Sequence, residues 1–234
     1  MSSQVHVVIA GASFAGIPIA HSLLKDIPTV KVTLINPSPT FYFAIAAPRL
    51  LAKRNAFKPE QYLLPIEREF SRYRTSSFEF VQGRASAIDV SAKTITLDTT
   101  RNIHFDYLVI ASGSTTASNS QTHAIPIPFK QSNSDDMYTV IQNAQDSISR
   151  AESIVIAGAG PIGVEIAGEI AEAAQQSGRK VKITLVSASY RILPMLKPTG
   201  SATAEKLLTE LGVEIVKSQK VSEPCKAGSP TRGQ

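Results

Sequence analysis

Apolar and polar positions along this chain repeat one design twice. Residues 5–24, VHVVIAGASFAGIPIAHSLL, begin as a β-branched apolar run, pass through a glycine-rich turn, and continue with apolar residues at helical spacing. Residues 153–174, SIVIAGAGPIGVEIAGEIAEAA, do the same. Each pattern predicts a strand, a tight turn and a helix. Each is followed by a second apolar run, at residues 30–35 and 180–186, that predicts a parallel strand. The two turns lie about 150 residues apart, too far for a solenoid repeat, so they predict two separate nucleotide-binding units. The expected class is therefore α/β, with two Rossmann-like units built on parallel sheets.

The material between them has another rhythm. Residues 59–73 read as a helix that Pro65 breaks or kinks. Residues 78–97 alternate apolar and polar positions with a turn near 89–93, an antiparallel excursion carried by the first unit. Residues 105–110 read as a buried strand running into Ala111-Ser112-Gly113. Ser, Thr, Asn and Pro crowd residues 115–133, as in a linker. Residues 135–150 read as a helix capped by Ser134 or Asp135. A helix at 202–211 and a strand at 213–216 follow. Residues 222–234 are poor in apolar side chains, and a disordered tail is expected. The expected domains are 1–125 and 151–221, joined by a linker and helix at 126–150. The second has too few strands to close its sheet, so both units are expected to be incomplete and the chain cut short.

Composition narrows the class. With 43% hydrophobic and 18% charged residues the chain is globular. A single cysteine, Cys225, excludes a disulfide framework or a Cys-x-x-Cys redox pair within one chain, so redox chemistry would need a cofactor. The four histidines have no metal-ligand spacing. The start MSSQVHVV lacks a signal-peptide core, which makes a cytoplasmic location the expectation. Much of the net charge of +5 gathers between Arg49 and Arg74, where seven basic residues face three acids. Such a segment suits a solvated surface or weak association with an anionic membrane; no nucleic-acid-binding module accompanies it.

The turns carry the candidate chemistry. Gly158-Ala159-Gly160-Pro161-Ile162-Gly163 matches G-x-G-x-x-G. Its glycines would allow the tight turn, the close approach of a pyrophosphate and helix–strand packing, while the helix N-terminus offers free N–H groups. Gly11-Ala12-Ser13-Phe14-Ala15-Gly16 departs from the pattern at Ser13, whose small hydroxyl side chain still suits a phosphate. The acid that usually binds a ribose diol after the second strand is replaced by Asn36 in the first unit and Ser187 in the second. Ser187, with Arg191 close behind, has no charge to repel a 2′-phosphate; Arg191 fits either that role or an ordinary surface position.

These turns, the strand ending at Gly113, and the stretches NPSPTFYFAIAAPR and ITLVSASYRILP resemble the pyridine-nucleotide-dependent flavoprotein reductases, in particular the apoptosis-inducing-factor-like and ferroptosis-suppressor branch. Type II NADH dehydrogenases are more distant. The resemblance implies that residues 1–125 bind FAD and residues 151–221 bind NAD(P)H. Gly11, Ser13 and Gly16 would hold the FAD pyrophosphate, Asn36 the ribose, and the Ala85 backbone the adenine. Arg49 would lie beside the flavin or phosphates, and Ala111, Ser112 and Gly113 match the family's Ala-Thr-Gly turn. Gly158, Gly160, Ile162 and Gly163 would hold NAD(P)H, with Glu165 near the nicotinamide. A Gly-Asp pair that members use to hold FAD is missing from this chain. The expected function is hydride transfer from NAD(P)H to FAD and onward to a quinone, oxygen or another acceptor. The alternative is a nucleotide-binding remnant without turnover.

Overall fold

The computed structural model describes residues 4–98, 100–114, 128–129 and 136–221. The expected linker at 115–133, the Ser134 or Asp135 cap, Cys225 and the 222–234 tail lie wholly or largely outside the described residues. In chain order the elements begin with β1 (Val5–Ala10), α1 (Gly16–Asp26), β2 (Val30–Asn36), β3 (Thr40–Tyr42), α2 (Ala47–Ala52), β4 (Leu63–Pro65) and α3 (Ile66–Glu69). Then come β5 (Phe78–Gln82), β6 (Ala85–Asp89), β7 (Thr94–Leu97), β8 (Arg101–His104), β9 (Tyr107–Ile110) and α4 (Met137–Arg150). β10 (Ser153–Ala157), α5 (Pro161–Ser177), β11 (Lys182–Val186), α6 (Pro198–Glu210) and β12 (Val213–Val216) complete the chain.

The chain divides into two units. The first holds a parallel sheet in the order β5-β2-β1-β9. Its central strands are apolar on both sides because both faces are covered. Val7, Ile9, Val32 and Leu34 pack with Ala20 of α1 and with Ile66 and Phe70. Val8, Ala10, Ile35 and Val81 pack with Ile95, Leu97 and Phe105, next to the antiparallel meander β6-β7-β8. That double burial explains why β1 and β2 read in the sequence as continuous apolar runs without in–out alternation.

Four sequence expectations change here. Residues 59–73 do not form one helix: Leu63 and Leu64 pair with Tyr42 and Phe41 in a two-stranded ladder, and only a short helix, α3, follows Pro65. β5 joins the parallel sheet beside β2, so the antiparallel excursion starts at β6 and includes β8, which its polar residues hid. β9 is an edge strand; Tyr107 and Ile110 are exposed. Residues 45–58, placed inside 1–125 by the sequence, group with the second unit.

The second unit has three parallel strands in the order β10-β11-β12. Ile166, Ala167, Ile170, Ala171 and Ala174 give α5 a buried stripe at helical spacing. β10 alternates exposed and half-buried positions, with Val155 64% exposed, so only one face of this sheet is fully covered. The Arg179 guanidinium donates to the carbonyls of Ile148, Ser149 and Ala151, tying the end of α4 to the residues that follow α5. Within this unit Arg49 and Lys53 pair with Glu169, Lys53 with Glu172, and Arg54 with Asp146. Three of the seven basic residues of the run are therefore neutralised by these acids. No helix among the described residues is long and apolar enough to cross a membrane.

In the first unit the imidazole of His21, on α1, stacks on Phe70 at 4.3 Å, and Phe70 stacks on Phe78 at 4.0 Å. Desolvation, then the nearby Arg72 charge, hold His21 below its ordinary value of 6.5, with Glu69 opposing. The unfolded chain then binds more protons than the folded one just below that value. Stability is fully present above it and falls as the pH drops through it. We predict a lower urea midpoint at about pH 5.5 than at about pH 7.5, with a smaller difference in His21→Phe. An unchanged pH dependence in that variant would assign the effect elsewhere; His6, also held below its ordinary value, is the next suspect.

Candidate functional site

In each unit the glycine turn sits at the carboxyl ends of parallel strands, where such sheets bind ligands. The two turns are closed the same way. Gly11 and Gly158 adopt φ of 112° and 109°, a region that favours glycine. The Gly11 N–H donates to Ile35 O at 2.8 Å, and the Gly158 N–H to Val186 O at 2.9 Å. A side chain on Gly16 would collide with the carbonyl of Gly11, and one on Gly163 with that of Gly158. Each last glycine thus lets the helix begin directly above the strand end.

What remains open differs from what is closed. A Cβ on Gly160 would meet nothing within 4 Å. The backbone N–H groups of Ser13, Phe14 and Ala15, and of Ala159 and Gly160, have no acceptor among the described residues. Free donors at a helix start, with the positive end of the helix dipole behind them, fit a pyrophosphate.

The first unit brings several expected residues together. A Cβ on Gly11 would strike the peptide between Ala111 and Ser112, so the turn and the end of β9 touch through Gly11. Gly113 has φ of 65°. Asn36, 5% exposed, accepts the Ala12 N–H at 3.1 Å and donates to Ser38 O at 2.9 Å. Its carboxamide braces the glycine turn. The Gly83 N–H donates to Asn36 O, which places Ala85 two residues on, exposed at the start of β6. Phe14, exposed on the turn, packs edge-on against Phe41 at 5.0 Å and near Phe43 at 5.9 Å.

In the second unit Ser187 is likewise buried and spent on its own loop. Its Oγ donates to Arg191 O at 3.1 Å and accepts the Ser189 N–H at 3.2 Å. The loop after β11 is strapped to the turn by the Leu193 N–H, 2.8 Å from Ala159 O, and to α6 by the Ser201 hydroxyl on Ile192 O. Leu193 holds a left-handed φ of 45° while buried, strain that the strap must support. The sequence reading missed Leu193 and Ser201; only Pro194 hinted at a loop.

Arg49 groups with the second unit. With Glu165 it lines a cleft of about 290 Å³, completed by Ile45, Ala46, Pro48, Phe57 and Glu169. Glu165 is exposed, and its carboxylate has no hydrogen bond or ion pair among the described residues. Glu169 fixes Arg49 by a 2.9 Å contact to Nε, and the rest of that guanidinium has no partner among the described residues. Hydrogen bonds to Glu172, and then to Glu169, hold the Lys53 ammonium above its ordinary range, and Lys53 in turn holds Glu172 below the usual carboxylate range.

With this geometry described, comparison with known proteins identifies the chain. It belongs to the pyridine nucleotide-disulphide oxidoreductase family, whose model matches residues 5–229. It is 38% identical to oxidoreductase ptaL of Pestalotiopsis fici, over 94% of this chain and 58% of that protein. Identity to ferroptosis suppressor protein 1 of Xenopus laevis is 26%, over 95% and 54%. Identity to the type II NADH:quinone oxidoreductase NdhA of Mycobacterium tuberculosis is 27%, over 89% and 48%. The structure of NDH2 from Plasmodium falciparum in complex with NADH superposes with a TM-score of 0.74 at 18% identity, covering 92% of this chain and 48% of that one. The fold is that of the FAD- and NAD(P)H-binding oxidoreductases. The chain spans about half the length of the curated relatives it matches.

The turn geometry separates folding from binding. Gly163→Ala should lower the thermal midpoint, at a cost of about 1–3 kcal/mol for a forced contact. Gly160→Ala should leave the midpoint nearly unchanged, yet weaken NAD(P)H binding by about tenfold or more by filling the open approach. Thermal melts and fluorescence titration check both.

Proposed function

We propose that this chain carries the dinucleotide sites of an NAD(P)H:acceptor flavin oxidoreductase. The carrying observation is the pair of matching turns, each with unpaired N–H donors at a helix start. In the first unit Ser13, Phe14 and Ala15 would present theirs to the FAD pyrophosphate. Gly16 keeps the helix close, and Asn36 and the Ala111–Ser112 peptide hold the turn in shape. Gly113 and the Ala85 backbone border that site. In the second unit Ala159 and Gly160 would cradle the NAD(P)H pyrophosphate, with Pro161, Ile162 and Gly163 opening the helix and Ser187 closing the loop beside it. The free carboxylate of Glu165 would accept from the nicotinamide carboxamide, and Arg49 would lie in the same cleft.

FAD, when bound, supplies the hydride acceptor and the route of electrons to the final acceptor. A quinone is the favoured acceptor, supported by the named activity of the M. tuberculosis relative; oxygen or another acceptor is the alternative. The protein's part is to bind, orient and exclude water. A reducing compartment such as the cytosol suits the single cysteine. Weak membrane association would rest on Arg68, Arg72 and Arg74, since Arg49, Lys53 and Arg54 are ion-paired.

One observation favours the alternative of nucleotide binding without turnover. Among the described residues the second unit's sheet is only partly covered on one face, with Val155 exposed. Purified chain reconstituted with FAD should keep a visible flavin band through gel filtration, and NAD(P)H should bleach it anaerobically. Retained flavin that NAD(P)H does not bleach would select the alternative. Protein that remains colourless would remove the FAD site.

A further inference from the structure

We propose that the Thr33 hydroxyl is a one-proton switch between His6 and Glu79, forming a pH-sensitive latch across the sheet of the first unit. The three side chains come from adjacent parallel strands, β1, β2 and β5. Thr33 is fully buried, so its hydroxyl has to find its partners within the protein. Its Oγ1 lies 2.8 Å from His6 Nε2 and 3.4 Å from Glu79 Oε2. A threonine hydroxyl has one proton and donates to only one of them. The backbone carbonyl of His104, on β8, also accepts from the His6 ring. A neutral imidazole has a single N–H. Given to His104, that N–H leaves Nε2 as an acceptor, and Thr33 donates to His6. The charged ring has two N–H groups. Nε2–H then donates to Thr33, and the hydroxyl proton turns to Glu79. Charging His6 thus completes a hydrogen-bonded chain from β8 through β1 and β2 to β5.

The charges around the ring set the pH at which this happens. Lys31 of β2 repels an imidazolium, while Glu79 of β5 and Asp106, just before β9, attract it. Asp106 is held there by the His6 backbone, whose N–H it accepts at 2.8 Å. Glu79 also meets Lys31 at 3.3 Å and Arg101 of β8 at 3.4 Å. Lys93 and His104 border the same hollow of about 340 Å³ as His6 and Asp106. Desolvation, then the Lys31 charge, hold His6 below its ordinary value of 6.5. The completed chain opposes both, because it gives the charged ring an acceptor and, one step further, a carboxylate. The latch is therefore made only as the pH falls below that value.

The test is nitrogen NMR of the full chain labelled at histidine, with the His6 signals assigned by their loss in His6→Gln. In the neutral ring Nδ1 should hold the proton and Nε2 should be bare; a neutral ring protonated at Nε2 would overturn the proposal. Thr33→Val and Glu79→Gln should each shift the His6 titration to lower pH, and together by less than the sum, because both cut one chain. Thr33→Ser, which keeps the hydroxyl, should leave the titration in place. A titration that Thr33→Val does not lower, or that Thr33→Ser lowers as much, would also overturn it. Urea midpoints give a second reading. The loss caused by Thr33→Val should be larger at about pH 5 than at about pH 7.5, since the folded variant holds the His6 proton less well. A loss that does not grow in acid counts against the latch. The tautomer is read from the wild-type chain, so it decides even if Thr33→Val does not fold.

Discussion

Everything at the candidate sites depends on one steric condition. A residue in the first turn of the helix must sit on the carbonyl of the residue that leaves the strand. Gly16 above Gly11 and Gly163 above Gly158 meet it, because any Cβ would collide with that oxygen. The positive φ of the lower glycine turns its carbonyl into place, and its N–H is secured by the neighbouring strand. From this contact follow the direction of the helix, the row of unpaired N–H groups and the crevice at the strand ends. A looser turn would still connect strand to helix, but its donors would not converge.

The two units meet the same condition with different surroundings. In the first, both sheet faces are buried and the turn is braced from several sides, by Asn36, by the end of β9 and by Phe41 against Phe14. In the second, one sheet face is open, and the turn is braced by the strap that carries Arg191 and Leu193. The short polar residue at the end of each second strand does equivalent work. Asn36 and Ser187 each spend their side chain on local backbone, where a carboxylate would have projected toward a ribose.

The cationic segment shows how charge read from sequence can mislead about function. Arg49, Lys53 and Arg54 form a basic run on paper, yet Glu169, Glu172 and Asp146 meet them from elements more than ninety residues away. Arg191, a single arginine in a loop without acids, attracts less notice in the sequence and has no ion pair among the described residues.

The sequence by itself determined the local features. The glycine spacing, the apolar runs before it and the helical stripes after it are short-range patterns, and they located both turns, α5, β11 and β12 closely. It also determined the family, because those patterns are shared with its members. Only the tertiary structure decided the rest. β5 joined a parallel sheet because β2 offered it a partner, β4 paired with β3 where a helix was expected, and residues 45–58 grouped with the second unit. It decided too that Asn36 and Ser187 turn inward, and that Arg49 shares a cleft with Glu165. The physical reason is range: backbone propensity and periodicity act over a few residues, whereas strand pairing, ion pairing and burial depend on partners that the chain supplies from far away.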